Sequence, residues 1–158
     1  MRIDDRINLR SFRPSDREDL VAGLNNWNVI KWLVAPPHPY RLDHADEFIA
    51  NKCDDGVTMA VCHDDRVIGG ITCDGKRVFG LWLAQPYWGQ GIMYRASKQV
   101  IDDFVSTHPC DTGLSSSAIH DNLRSRALLR KLGFIEDGTR TVMSVPLQRE
   151  VLLVNYRM

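Results

Sequence analysis

Hydrophobic and polar positions alternate along the chain with two different periods, and the change of period predicts the order of the elements. After a short strand at residues 7–12, apolar residues recur at helical spacing as far as residue 50. Three strand-like runs follow at residues 57–63, 66–73 and 76–83, joined by turn residues typical of hairpins. The pattern therefore predicts an antiparallel meander in the middle of the chain.

The second half of the chain alternates strands with helices. A helical stripe of apolar residues runs from Ile92 to about Thr107, and residues 113–119 form the next strand. A strand, helix and strand of this length make a parallel pair with a right-handed crossover. Another helix ends at Gly133, and a hairpin completes the chain. The sequence thus predicts a single α+β domain over residues 1–158, with a mixed central sheet of about seven strands flanked by about four helices.

Composition and charge narrow the classes of function. The 158 residues suffice for one domain with a full core, and 44% of them are hydrophobic and 25% charged. Lys and Arg together number 20, as do Asp and Glu, which argues against nucleic-acid binding through a broad basic field. The N-terminus lacks a signal-peptide core, and no apolar run approaches the length of a membrane span. We therefore expect a cytoplasmic protein with neither nucleic acid nor membrane as a partner.

The four cysteines are candidates for metal binding or for disulfides. They stand at Cys53, Cys62, Cys73 and Cys110, and this spacing matches no metal-ligand pattern. Together with the expected cytoplasmic location, the spacing favours reduced thiols and predicts no metal site.

Two glycines one residue apart, Gly89 and Gly91, lie between a predicted strand end and a predicted helix start. Glycine adopts positive φ and leaves the backbone uncovered, so the N–H groups of residues 89–93 would face outward where the helix dipole is positive. Such an arrangement binds phosphate groups. The alternative interpretation is a turn that needs glycines only for a flexible backbone and binds no ligand. A dinucleotide-binding fingerprint would require a third glycine, at the position that Tyr94 occupies.

A second informative segment, residues 122–134, has the pattern of an amphipathic helix with an Asn start and a glycine stop. The amide of Asn122 offers both a donor and an acceptor. Ser125 lies one helical turn later on the same face. A plain surface serine in a first helical turn is the alternative interpretation of Ser125.

The two segments together resemble the GNAT N-acetyltransferases, and most closely the branch that acetylates the N-termini of ribosomal proteins at alanine or serine. The resemblance rests on Pro-Tyr-Trp-Gly-Gln-Gly at residues 86–91, on Asn122 with Ser125, and on Leu-Gly-Phe at residues 132–134. It covers nearly the whole chain. It implies the single-domain acyl-CoA N-acyltransferase fold and direct transfer of acetyl from acetyl-CoA to a primary amine, at a protein N-terminus or on a small molecule.

The resemblance also implies roles for individual residues. The backbone around Leu83 would supply the oxyanion donor, and Ser125 would donate a hydrogen bond or a proton to the coenzyme A sulfur. The residues expected to contact acetyl-CoA are Trp82, Leu83, Trp88, Gly89, Gln90, Gly91, Ile92, Met93, Asn122 and Ser125. The residues expected on the acceptor side are Trp27, Trp32 and Tyr40.

The sequence does not decide which group is the general base, which class of function the protein has, or what its oligomeric state is. Groups that could deprotonate the amine are Asp74, His63, His120 and Glu136, and none is singled out. A non-catalytic acyl-CoA-binding module of the same fold is the alternative function. A Rossmann-type nucleotide domain is disfavoured, because its parallel sheet would need helices between the strands of the meander. Exposed strand edges would allow a homodimer.

Overall fold

The helices and strands follow the predicted order, and a computed structural model describes them for residues 1–51, 57–108 and 113–158. The strands are β1 (Ile7–Arg10), β2 (Val57–His63), β3 (Arg66–Cys73), β4 (Phe79–Leu83), β5 (Ser115–Ile119), β6 (Ile135–Ser144) and β7 (Arg149–Arg157). The α-helices are α1 (Arg17–Leu24), α2 (Trp27–Ile30), α3 (Leu42–Ala50), α4 (Ile92–Thr107) and α5 (Leu123–Lys131). Cys53 and Cys110 lie outside the described residues. Within those residues, every helix is too short or too polar to cross a bilayer.

The first sheet is the antiparallel meander that the sequence predicts. Its strand order is β1-β2-β3-β4, and each strand is hydrogen-bonded to the next. Asp64 and Asp65 form the turn between β2 and β3 with φ angles of 47° and 70°, a left-handed conformation that short polar side chains tolerate. This sheet is not the parallel sheet of a dinucleotide-binding domain.

The second sheet has the order β5-β7-β6 and is also antiparallel. An isolated parallel bridge between Val78 and Ser115 joins it to the first sheet, and β4 and β5 separate beyond that point. The α+β fold with seven described strands is therefore confirmed, and the strands are divided between sheets of four and three. The described residues form five α-helices, one more than expected.

Helices cover both faces of the first sheet. Successive residues of β2 point to opposite faces, so Val61 packs in the cluster that contains α4, whereas Ala60 and Cys62 pack in the cluster that contains α1 and α3. Because helices pack on both faces, β4 is held in position, and its C-terminal end lies beside the start of α4.

Candidate functional site

A cleft of about 920 Å³ opens where β4 and β5 diverge. Its walls come from both sheets, from the start of α4, from α5 and from the segment around α2. The cleft therefore lies at an edge of each sheet, where backbone groups have no neighbouring strand to bond with.

The edge of β4 presents backbone groups to this cleft. The Ala84 N–H donates to the Ile68 carbonyl at 2.7 Å. Because hydrogen-bonded pairs alternate along an antiparallel ladder, the even-numbered residues of β4 are those whose backbone groups bond with β3. The odd-numbered residues therefore face β5, and the Phe79 carbonyl accepts the Ser116 hydroxyl at 2.8 Å. Leu83 lies beyond the point of separation, so its N–H points into the cleft and meets no acceptor in the described part of the chain.

The facing edge of β5 is open in the same way. The His120 N–H donates to the Leu152 carbonyl at 2.8 Å, so the even-numbered residues of β5 bond with β7. Ser117 and Ile119 consequently face β4. The Ile119 carbonyl accepts the Asn122 N–H at 2.8 Å, whereas the Ser117 backbone has no partner among residues that the structure describes. Two such edges can take an extended polar chain between them as an added strand.

The loop before α4 exposes a row of backbone donors. Gly89 and Gly91 have φ angles of 76° and 69°, a region that favours glycine. The N–H groups of residues 89–94 donate to no acceptor within the described ranges. They surround the N-terminus of a 16-residue helix, where the helix dipole attracts negative charge. This geometry suits a phosphate or diphosphate group.

Trp88 connects this loop to the end of β4. Its indole Nε1–H donates to the Leu83 carbonyl at 2.7 Å, and its ring packs against both core clusters. On the opposite wall, the guanidinium carbon of Arg124 lies 5.0 Å from the centroid of the Trp88 ring. The indole therefore holds the end of β4 in place and also contacts α5 across the cleft.

The N-terminus of α5 brings two polar side chains to the cleft. Asn122 is the N-cap, and its Oδ1 accepts the Ser125 N–H at 3.2 Å. The Asn122 Nδ2 and the Ser125 hydroxyl keep free hydrogen-bonding capacity, because neither has a partner among the described residues. Both side chains are half-buried and line the cleft, on the same face of the helix as the sequence predicts.

The charged side chains that line the cleft are cations. Arg124 lies over Trp88, and the Lys131 Nζ lies 4.2 Å from the centroid of the Tyr94 ring. In the described residues no carboxylate and no imidazole lines the cleft. The cleft is therefore suited to an anionic ligand, and a proton acceptor inside it would be water or a neutral polar group.

None of the four candidate bases lines the cleft, and each has a local partner. They are Asp74, His63, His120 and Glu136. The hydrogen bond from Arg126 lowers the pKa of Glu136 below its usual range, with a smaller contribution from the Tyr156 hydroxyl. These side chains make local contacts, and the ring of His63 also lies 5.4 Å, between centroids, from the ring of Tyr87, which does line the cleft.

Some of the remaining residues that the sequence predicts to contact the substrates line the cleft, and others do not. Trp32 lines the cleft, whereas Trp27 is 45% exposed and Tyr40 is 5% exposed within the core beside α1 and α3, and neither lines it. The Gln90 side chain turns back so that its Nε2 donates to the Pro86 carbonyl at 3.0 Å. The other expected acetyl-CoA contacts do line the cleft: Trp82, Leu83, Trp88, Gly89, Gly91, Ile92, Met93, Asn122 and Ser125.

Trp82 occupies a slot made by two glycines that the sequence did not single out. A Cβ on Gly23 would lie 2.6 Å from the Trp82 ring, and a Cβ on Gly70 would lie 2.7 Å from its Nε1. Other apolar residues that line the cleft were missed as well, and they include Val29, Leu33, Val34, Phe48, Ile119 and Leu153. They come from four separate parts of the chain, and no local motif connects them.

Comparisons with known proteins agree with this geometry. The family profile described as "Acetyltransferase (GNAT) domain" matches residues 6–135. Among curated proteins, YdaF of Bacillus subtilis (strain 168) is 24% identical over 151 residues, a match that covers 87% of this chain and 82% of YdaF. The name of YdaF gives ribosomal N-acetyltransferase as a provisional activity.

Solved structures share the fold. The microcin C7 self-immunity acetyltransferase MccE, solved with acetyl-CoA and AMP, has a TM-score of 0.82 at 18% identity, over 99% of this chain and 93% of MccE. The Salmonella typhimurium acetyltransferase that modifies the N-terminal serine of the 50S ribosomal protein L7/L12 has a TM-score of 0.78 at 15% identity, over 99% of this chain and 96% of that one. At these identities the likeness is one of fold.

Proposed function

This chain belongs to the GNAT acetyltransferase family, and from that premise we propose that it transfers an acetyl group from acetyl-CoA to the α-amine of a protein N-terminus. The main support is the pair of open backbone edges on β4 and β5, which lie next to the unpaired N–H groups of residues 89–93. The relatives that modify ribosomal proteins support the choice of acceptor.

The cleft offers suitable contacts along the length of acetyl-CoA. The N–H groups of residues 89–93 would hold the diphosphate, and the Asn122 Nδ2 would donate to the pantetheine arm. The arm would lie along the open edge of β4 as an added strand. The Leu83 N–H would then donate to the thioester carbonyl oxygen, where negative charge develops as the amine attacks.

The proposed reaction is direct attack on the thioester. The amine nitrogen forms a bond to the acetyl carbon, the carbon–sulfur bond breaks, and the amine loses its proton to water. Ser125 would donate a hydrogen bond or a proton to the departing thiolate. Since an α-amine has a pKa near 8, water suffices as the base, and holding both substrates in place supplies much of the rate.

Ser125 provides the first test of this mechanism. We expect Ser125→Ala to lower kcat by about 10- to 100-fold, because a positioned proton donor contributes about that much or more. Ser125→Cys keeps a donor and should recover part of the loss. Ser106→Ala is the matched control, since the Ser106 hydroxyl donates to the Asp103 carbonyl on α4 and Ser106 does not line the cleft. An unchanged kcat in both Ser125 variants would contradict the proposal that Ser125 donates to the coenzyme A sulfur.

Asn122 allows its two functions to be separated. Asn122→Asp keeps a side-chain oxygen for the N-cap but removes the Nδ2 donor, so the helix should remain stable. We expect the Kd for coenzyme A to rise while the melting temperature stays close to that of the wild type. Calorimetric titration and thermal unfolding measure the two effects, and an unchanged Kd would contradict the contact.

A non-catalytic acyl-CoA-binding module is the second candidate function. It is favoured by the absence of a carboxylate or imidazole from the cleft lining, as far as the described residues extend. Thiol release from acetyl-CoA, measured with a panel of peptides that have free N-termini, separates the two functions. Peptide-dependent release with acetylated peptide as the product supports the enzyme, whereas tight coenzyme A binding without release supports the module.

A further inference from the structure

On the basis of the proposed function, we propose that the apolar part of the cleft wall formed by α2, the residues after it, α3, β5 and β7 is a chamber for the first side chain of the acceptor, and that it takes an uncharged, apolar residue. The acceptor chamber, as we name it, is lined by six apolar residues: Val29, Leu33, Val34, Phe48, Ile119 and Leu153. These residues line the same cleft as the open edges of β4 and β5, where the acetyl group would lie.

The walls of the acceptor chamber belong to packed cores. Val29 is 4% exposed and lies in the cluster of α1 and α3, against which Leu33 and Phe48 also pack. On the other side, Ile119 and Leu153 form a third cluster with Val34 packed against them. Because both walls are held by their own cores, the chamber is preformed and can bury an apolar side chain at little cost in ordering.

The charges of the cleft lie elsewhere. Arg124 and Lys131 rest on Trp88 and Tyr94, which belong to the loop and helix that would hold the diphosphate. Thr72 lines the cleft with a neutral hydroxyl, and none of the described lining residues is a carboxylate. A second ammonium group of a polyamine, or a Lys side chain, would lose its hydration there without gaining a partner. A carboxylate side chain would also be desolvated there, because Arg124 and Lys131 rest on Trp88 and Tyr94, and Lys31, whose Nζ lies 5.3 Å from the centroid of the Trp32 ring, does not line the cleft.

A peptide series tests the chamber. Four peptides that are identical except for a first residue of Leu, Ala, Lys or Asp are compared by thiol release with acetyl-CoA, and spermidine is included as a polycation. We expect kcat/KM for the Leu peptide to exceed that for the Lys and Asp peptides by about 100-fold. Equal rates, or a preference for a charged first residue, would overturn the proposal.

A charge introduced into the wall gives a second, independent test. Val34→Asp places a carboxylate in the acceptor chamber, and Val34→Asn is its neutral control of the same shape. The Val34 carbonyl bonds to the Val145 N–H at 2.9 Å, and that contact is kept in both variants. We expect Val34→Asp to raise the ratio of Lys-peptide to Leu-peptide rates by about 10-fold or more, and Val34→Asn to leave the ratio unchanged. An unchanged ratio in Val34→Asp contradicts the chamber.

The same peptides also distinguish failure of this inference from failure of the proposed function. Their affinities for the complex of the protein with coenzyme A are measured by calorimetry, which requires no turnover and which also shows that each variant is folded. If no amine releases thiol but the Leu peptide binds most tightly, the enzyme assignment fails and the chamber stands. If thiol is released but the four peptides bind with equal affinity, the acceptor chamber is contradicted and the enzyme assignment is supported.

Discussion

The hydrogen bond from Trp88 to the end of β4 gives the most informative single substitution. Trp88→Phe removes the Nε1–H that bonds the Leu83 carbonyl at 2.7 Å but leaves an aromatic ring under Arg124. A lost hydrogen bond of this kind costs about 1 kcal/mol net, and the smaller ring adds to that, so we expect a loss of about 1–3 kcal/mol in the free energy of unfolding. For a domain of this size each kcal/mol lowers the melting temperature by about 2–4 °C.

The same substitution should affect the reaction more than binding. Leu83 is the last residue of β4, and its N–H is the proposed donor to the thioester oxygen. Without the indole bond the strand end is less well fixed, and a displacement of about 1 Å at a reacting centre costs about 100-fold in rate. We expect kcat to fall by about 10- to 100-fold, whereas the Kd for coenzyme A changes by less than about fivefold because the ring and the loop amides remain.

Steady-state thiol release and calorimetric titration measure these two quantities on the same preparation. Arg124→Gln is the matched comparison, since it removes the contact over the ring and keeps the indole hydrogen bond. It should weaken coenzyme A binding with little change in kcat. The reasoning would be refuted if Trp88→Phe turned over at the wild-type rate, or if it lost kcat and affinity in equal proportion.

Two further substitutions test packing and charge elsewhere in the fold. Gly23→Ala should destabilise by about 1–3 kcal/mol, because its Cβ would lie 2.6 Å from the Trp82 ring and Gly70 blocks movement of the ring on the other side. Gly80→Ala on β4 is the control, since a Cβ there meets nothing within 4 Å, and thermal unfolding should show no loss. The side chains of Asp16 and Arg10 are 5% and 13% exposed and form an ion pair at 2.7 Å, so Asp16→Asn should destabilise the protein by about 1–3 kcal/mol, while Arg10 keeps its ion pair with Asp65 at 3.1 Å. Burial alone would raise the pKa of Asp16, but the hydrogen bonds from Arg10 and the neighbouring backbone hold that pKa below its usual range. The unfolded chain therefore binds the proton first, so the stabilisation is complete above about pH 4 and disappears as the pH falls through the lowered pKa. Urea unfolding at a series of acidic pH values should show a steeper loss in the wild type than in Asp16→Asn, and parallel curves would contradict this account.

The local features of the site could be predicted from the sequence because they depend on neighbouring residues. Gly89 and Gly91 adopt the positive φ angles that make an exposed loop, and α4 begins at Ile92 as its apolar spacing indicates. Asn122 caps α5, a role that its residue type favours. In each of these cases the conformational preference of the chain and the final fold agree.

Contacts between distant elements could not be predicted in the same way. β4 and β5 separate beyond an isolated bridge between Val78 and Ser115, and no composition or period of the sequence marks the residue at which that separation begins. Apolar residues form both cores and cleft walls, so the sequence could not tell that Tyr40 is buried among core residues while Trp32 lines the cleft. Only the packing of complete elements decides between these two environments.

The central claim is that the backbone amides of residues 89–93 bind the diphosphate of acetyl-CoA while the Leu83 amide faces its thioester. Backbone amide NMR spectra of nitrogen-labelled protein, recorded during titration with coenzyme A and then with acetyl-CoA, test this claim most directly. We predict large shifts for residues 89–93 with both ligands, and a further downfield shift of the Leu83 amide that acetyl-CoA alone produces. Saturating binding that leaves these amides unmoved, with the shifts confined to other parts of the protein, would contradict the account.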